Sequence, residues 1–247
     1  ADKLEREPSD TERFLFSSLV LDVFDQLDHS VRLDIVVRLA RTDRITSALA
    51  DRLATEAFDL SEAILEHSPV VTEETLVDVV RNRTDRHRLA IARRDKVPEK
   101  IVDALIARGA FPVINALVQN DGAQFAVRAM LALLILSNGD QRLLGAMAQR
   151  CISDEEFRED LRLVSQTDCP LMPAELEKAL DNPEGLERIA QRALIDDRDV
   201  TKEQLGLHFN AASTDYDVVI EEAYTRHKTS ICHAGCCSVF YARKKEK

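Results

Sequence analysis

The stretch Ser68–Asn120, SPVVTEETLVDVVRNRTDRHRLAIARRDKVPEKIVDALIARGAFPVINALVQN, reads as four short helices in succession. Ser68-Pro69 breaks whatever precedes it, because the residue before a proline is pushed out of the α region. Thr72 opens a helix whose first turn carries Glu73 and Glu74, where acidic groups favour the helix dipole. Thr84 or Asp85 caps the next one, through about Arg94. Pro98 suits a first helical position and Gly109 the left-handed residue beyond a helix end, so the third helix is bounded by its own punctuation. Pro112 repeats the arrangement for the fourth, Phe111 to Asn120.

An earlier part of the chain echoes this stretch. Sliding the sequence on itself by 52 residues lays Leu39–Leu53 over Ile91–Leu105 and matches Ala40, Arg41, Asp43, Asp51 and Leu53 with Ala92, Arg93, Asp95, Asp103 and Leu105. A weaker third copy runs over Ala148–Leu161, with Gln149 where the arginine stood. The same small residue, base, acid and leucine in order point to a duplicated helical pair, the mark of stacked units rather than one irregular core.

Outward from there the chain remains helical. Ser9 with Glu12 forms a capping box that starts a helix through about Leu27, with Phe14, Leu15, Leu19, Val23 and Leu27 as its apolar stripe. A second helix, about Ser30–Arg41, carries Val31, Ile35, Val36 and Leu39. Asp43 caps a third with Ile45, Leu49 and Leu53 on one face, and Phe58–His67 makes a fourth. Ala123–Ser137 is apolar nearly all round, so other helices must wrap it. Helices at Asp140–Cys151 and Ser153–Gln166 follow, the latter capped by Ser153 with Glu156. Two prolines, Pro170 and Pro173, then mark a linker. Further helices are expected near Ala174–Leu180, Pro183–Asp196, Thr201–Phe209 and Thr214–Lys228, before a tail of small residues, cysteines and bases.

Composition agrees: of 247 residues, 45% are hydrophobic and 31% charged, and seven Gly and seven Pro leave little material for turns. The net charge of −11 opposes non-specific attraction to nucleic acid or an anionic membrane. The longest apolar run, Met130–Leu136, is far short of the ~20 residues that span a bilayer, and the charged N-terminus has no apolar signal core. A cytoplasmic protein with reduced thiols is the expectation, since the five cysteines are an odd count.

The repeat resembles the HEAT-like solenoids, in which an arginine and an aspartate of neighbouring helices pair and tie each repeat to the next. More narrowly, SPVVTEETL followed by HRLAIARR, a helix, ALIARG and ALVQN is similar to an uncharacterised bacterial family, best known from alphaproteobacteria and carried only as a domain of unknown function. The resemblance covers about residues 33–126 and implies a HEAT-like helical fold, with no activity attached. The expected architecture is all-α: a HEAT-like antiparallel array of helical hairpins, a short α-solenoid, over residues 1–166. A smaller helical region over 174–228 and a flexible, cysteine-containing basic tail over 229–247 complete it.

Six arginines lie between Arg81 and Arg94, with Asp85 as the only acid among them. Arg41 and Arg93, recurring beside Asp51 and Asp103, read as structural inter-helix pairs. Arg81 reads as a base at a helix C-terminus. That leaves Arg83, Arg86, Arg88 and Arg94 as candidate partner-binding residues, since guanidinium forks suit carboxylates and phosphates. His87, four residues before Ile91 on one helix face, reads as a partly buried, hydrogen-bonded histidine. Cys232, His233, Cys236 and Cys237 supply only one clear pair of soft ligands, so no metal and no cofactor is expected. No Gly-rich phosphate loop, H-E-x-x-H or G-x-S-x-G is present, and no catalytic residue is assigned. Without tryptophan and with three tyrosines, the chain lacks the aromatic platforms of single-strand binders. The expectation is a non-enzymatic adaptor or regulatory module that binds a protein partner, with nucleic-acid or phosphate binding through Arg81–Arg94 as the alternative, no membrane partner and no assigned oligomeric state.

Overall fold

Caps and turn residues set the helix boundaries. The computed structural model describes residues 7–137, 140–165 and 172–196, with backbone alone at 193–196. Thirteen helices occur among them: α1 (Asp10–Phe24), α2 (His29–Leu39), α3 (Ser47–Ala54), α4 (Phe58–His67), α5 (Glu73–Asn82), α6 (Asp85–Ala92), α7 (Glu99–Arg108), α8 (Phe111–Val118), α9 (Val127–Ser137), α10 (Gln141–Ser153), α11 (Glu155–Ser165), α12 (Ala174–Ala179) and α13 (Pro183–Asp196). The all-α expectation holds; extended structure among the described residues is confined to one isolated parallel bridge, Val97 with Ala123. The helices expected beyond residue 196 and the cysteine-containing tail lie outside the described residues.

The Ser9–Glu12 capping box forms as expected, with Glu12 N donating to Ser9 Oγ and Ser9 N to Glu12 Oε2 at 2.7 Å. Several boundaries differ from the sequence reading. The apolar helix α9 begins at Val127, not Ala123, because Ala123 is bridged to Val97. Thr46, not Asp43, caps α3, because Thr46 is the extended residue whose Oγ1 meets Leu49 N. Asp154, not Ser153, opens α11 by accepting from Phe157 N at 3.1 Å, which lets α10 run on through Ser153. Gly109 has φ −78° and ψ 139°, an ordinary extended residue. Its glycine is required by space: a Cβ there would stand 2.6 Å from Leu105 O and 2.9 Å from Val113 Cγ1.

The helices stack in two layers. The odd-numbered helices α1 to α11 pack each on the next but one, and α2, α4, α6, α8 and α10 do the same in the second layer. The unit is shorter than the sequence echo: α3, α5 and α7 begin at Ser47, Glu73 and Glu99, a spacing of 26 residues, so 52 spans two units. Equivalent positions are buried in every unit, as at Ile45, Val71, Val97 and Ala123, or Leu53, Val79, Leu105 and Leu131. Helices of this length are marginal alone, so burial against the next unit supplies their stability. At the far end α9 is buried over Ala129–Leu134, as its all-round apolar sequence requires, and α13 lies along α10. Leu176, Leu180, Leu186 and Ile189 join the same continuous core as Phe24 and Leu49, so helices on both sides of the 166–174 boundary share one apolar interior.

The first helix departs from expectation. Its stripe was to face the core, yet Phe14, Leu15, Leu19 and Val23 are exposed, at 62%, 57%, 65% and 38%, and Leu27 is half-buried. The face of α1 that packs inward carries Ser17 and Phe24, with Val20 and Leu21 against the core. Both faces of α1 are apolar, and α3 selects the one with small Ser17, whose Oγ accepts from Thr46 N at 3.0 Å. Val31 of α2 is likewise exposed, while Val36 is fully buried.

Candidate partner-binding cleft

The arginine stretch follows α5 and builds α6, and most of its guanidiniums are turned to the protein's own backbone. Arg83 donates to Thr55 O at 2.5 Å; Arg88 donates to Val80 O at 2.7 Å and pairs with Asp85 at 2.9 Å. Arg94 donates to Leu65 O at 2.5 Å and Ser68 O at 2.6 Å. These carbonyls close helix ends, where backbone acceptors have no intrahelical partner. Arg86 lies over the Phe58 ring at 4.2 Å, a cation–π contact. The four residues are therefore not a convergent basic face: Arg83 and Arg94 bind carbonyls of the preceding unit, Arg88 binds one within its own unit, and Arg86 covers an aromatic ring. Burial lowers the pKa of Arg94, with Asp95 opposing, so the two carbonyls must offset the lost hydration of its charge.

His87 is buried more fully than the partial burial expected, at 6% exposure. Its Nδ1 lies 2.9 Å from Thr84 Oγ1, its ring meets Phe58 edge-on, and its Nε2 has no partner. Burial first, then Arg83, Arg86 and Arg88, push its pKa below the usual histidine value, so it is held neutral.

The expected arginine–aspartate pairs do not form. Asp51 instead accepts from Thr72 N at 2.9 Å and from Thr72 Oγ1 at 3.0 Å, tying α3 to the start of α5, and Arg41 meets His67 at 3.3 Å. Asp103 faces Arg128, which lowers a pKa that burial raises. Arg93 is exposed and makes no side-chain ion pair or hydrogen bond among the described residues. Arginine–aspartate pairs between elements form elsewhere: Arg52 with Asp25 at 3.2 Å, Arg162 with Asp181 at 2.7 Å, and the buried Arg150, 3% exposed, with Asp121 at 3.1 Å and Asp154 at 2.7 Å. Arg150 follows the Gln149 of the weak third copy, so an alignment that seeks the arginine one place earlier passes over it.

Arg93, released from pairing, lines an open cleft of about 630 Å³ between α6, α8 and α10. Leu89, Phe111, Pro112 and Ala116 form its apolar part; Asn115, Gln119, Asn120 and Arg142 join Arg93 as polar groups. Arg142 stacks on Phe111 at 4.2 Å and is held by both oxygens of Asp140, at 3.1 and 2.9 Å, while its Nη1 is buried without an acceptor. Two guanidiniums, three amides and an apolar floor suit an extended segment with a carboxylate side chain. Asn120 also supports the wall, donating to Ala92 O and Arg94 O, each at 2.7 Å. Sequence reasoning missed Arg142, Asn115 and Gln119, because they stand on two helices outside the basic stretch. The Asp-x-Arg spacing at 140–142 was the one local signal.

Among the described residues no group of three or more His, Cys, Asp or Glu is placed to hold a metal ion, and no helix is long and apolar enough to cross a membrane. Cys232, His233, Cys236 and Cys237 lie outside those residues.

The family model described as an uncharacterised protein conserved in bacteria (DUF2336) matches residues 60–193, more than half of the chain. The chain belongs to this family. The match covers α4 to α13 almost entirely, including the basic stretch, the cleft and α13; it begins later and ends later than the stretch 33–126 that carries the resemblance in sequence. No curated protein and no solved structure matches the chain.

Proposed function

We propose that this member of the family is a non-enzymatic adaptor of the bacterial cytoplasm, a HEAT-like array that holds an acidic, extended segment of a protein partner in the α6–α8–α10 cleft. One observation carries the reading: Arg93 has no side-chain ion pair or hydrogen bond among the described residues and shares an apolar-floored cleft with Arg142. An exposed, unpaired guanidinium above an apolar floor leaves a charge-assisted contact open. A partner carboxylate makes it, Asn115 and Gln119 serve the segment's backbone, and Leu89 and Phe111 receive an apolar neighbour. The alternative, a nucleic-acid site over Arg81–Arg94, is weakened because Arg83, Arg88 and Arg94 are engaged by carbonyls and are not free to replace phosphate counterions.

The test is selection of displayed random peptides on the immobilised 247-residue chain. The expected outcome is enrichment of Asp- or Glu-containing peptides, with affinity for the Arg93→Glu variant falling at least about tenfold, the loss of one charge-assisted contact. Selection without acidic bias, or equal binding by Arg93→Glu, rejects the reading.

A further inference from the structure

In a stacked array each helix is covered on both sides by its layer neighbours, and terminal units normally turn a polar face to water. The N-terminal end of this array does the opposite. At 100° per residue, Leu15, Phe16, Leu19 and Val23 fall within an arc of about 100° on α1, across the helix from the buried Ser17 and Phe24. Exposures of 57%, 48%, 65% and 38% leave that arc open. On α2, the first helix of the other layer, Leu33 at 39% and Val37 at 56%, four residues apart, are exposed as well. With roughly 150–200 Å² for each complete side chain, these six expose on the order of 500 Å² of apolar surface. Interfaces are about 60% apolar, so such a core corresponds to roughly 800 Å² per partner, the standard size for a stable complex.

We infer that this end is a self-association surface: two copies of the chain join N-terminal end to N-terminal end about a twofold axis, α1 against α1. Three observations choose a second copy and this geometry. The patch has no counterpart elsewhere, since Ile152 is the one strongly exposed large hydrophobic residue outside Phe14–Val37 among the described residues, so a head-to-tail contact would meet a polar surface. The stripe Leu15–Leu19–Val23 is symmetric about Leu19, so an antiparallel pair sets Leu19 on Leu19 and Leu15 on Val23 of the second copy. In that register the carboxylates Glu12 and Asp22 stand opposite Gln26 and Phe16 of the second copy, and not opposite each other. An isologous contact of this kind closes at two copies. It continues the odd layer across the axis, giving α1 the outer neighbour that α3 to α9 already have.

The experiment is sedimentation velocity with light scattering on the 247-residue chain between about 1 and 100 μM, a range that spans the micromolar dissociation constants reached by interfaces of this size. The wild type is expected to approach twice the monomer mass, and Leu19→Glu to remain at monomer mass with an unchanged helical spectrum. Because Leu19 is 65% exposed, the substitution leaves the folded core untouched, and Leu15→Ser gives a milder second reading with dimerisation weakened at least tenfold. A wild type monomeric at 100 μM overturns the proposal, as does a dimer insensitive to both substitutions. Growth into open-ended assemblies overturns the twofold closure.

Discussion

Replacing Arg94 tests the idea that the arginine stretch stitches units together. Its guanidinium reaches back 29 and 26 residues to Leu65 O and Ser68 O at 2.5 and 2.6 Å. Truncation to alanine strips a charged donor from two carbonyls, each costing about 1–3 kcal/mol if left unsatisfied. The site is half-buried, so partial hydration brings the expected loss to about 2–4 kcal/mol. With a urea slope of about 2 kcal/mol/M, the midpoint of a far-UV dichroism transition should fall by about 1–2 M. Arg93→Ala, one residue along and exposed, is the control and should move stability by less than about 0.5 kcal/mol. Arg94→Met keeps the aliphatic stem and discards the donors, and should lose nearly as much as alanine. A methionine variant as stable as the wild type, or an alanine variant no worse than Arg93→Ala, would refute the argument.

Three other outcomes follow from the geometry. Gly122→Ala should cost at least 1–3 kcal/mol in thermal unfolding, because its Cβ would stand 1.9 Å from Asp95 O, at the loop whose Gly122 O accepts from Val97 N. His87 has its pKa lowered in the folded state, so the unfolded chain takes up the proton first; stability is full above about pH 6.5 and declines as pH falls below it. His87→Phe should flatten that part of the pH dependence, measured as the difference in urea midpoints between pH 7.5 and 5. Cys151, with its thiol pushed up to about 12 by burial, should resist alkylation in the native protein, its thiolate fraction at pH 8 being on the order of 10⁻⁴. Peptide mapping should find it modified only after unfolding.

Several features were legible without coordinates. Ser9 with Glu12, Thr72 and Pro112 each act within a turn or two and appear in the fold where the sequence places them, while the apolar 123–137 stretch forms its buried helix from Val127 onward. The echo at 52 residues was real but doubled. Successive units carry different polar residues at one place, Arg41, His67, Arg93 and Gln119, so identities recur only every second unit. The buried positions exchange Ile, Val and Ala freely, since a core demands apolar volume before identity. The amphipathic stripe of α1 was read from helical spacing alone, which finds an apolar face but cannot choose between two.

The sequence by itself determined that the chain is helical, where most helices begin and end, and that they repeat, because caps, prolines and periodicity are local. Only the tertiary structure decided what each arginine does. The partners of Arg94 lie 29 and 26 residues away, on the preceding unit, and stacking geometry settles whether a guanidinium meets such a carbonyl, as Arg94 does, or is left open to the cleft, as Arg93 is. The same geometry left the outer face of α1 uncovered while burying its opposite side.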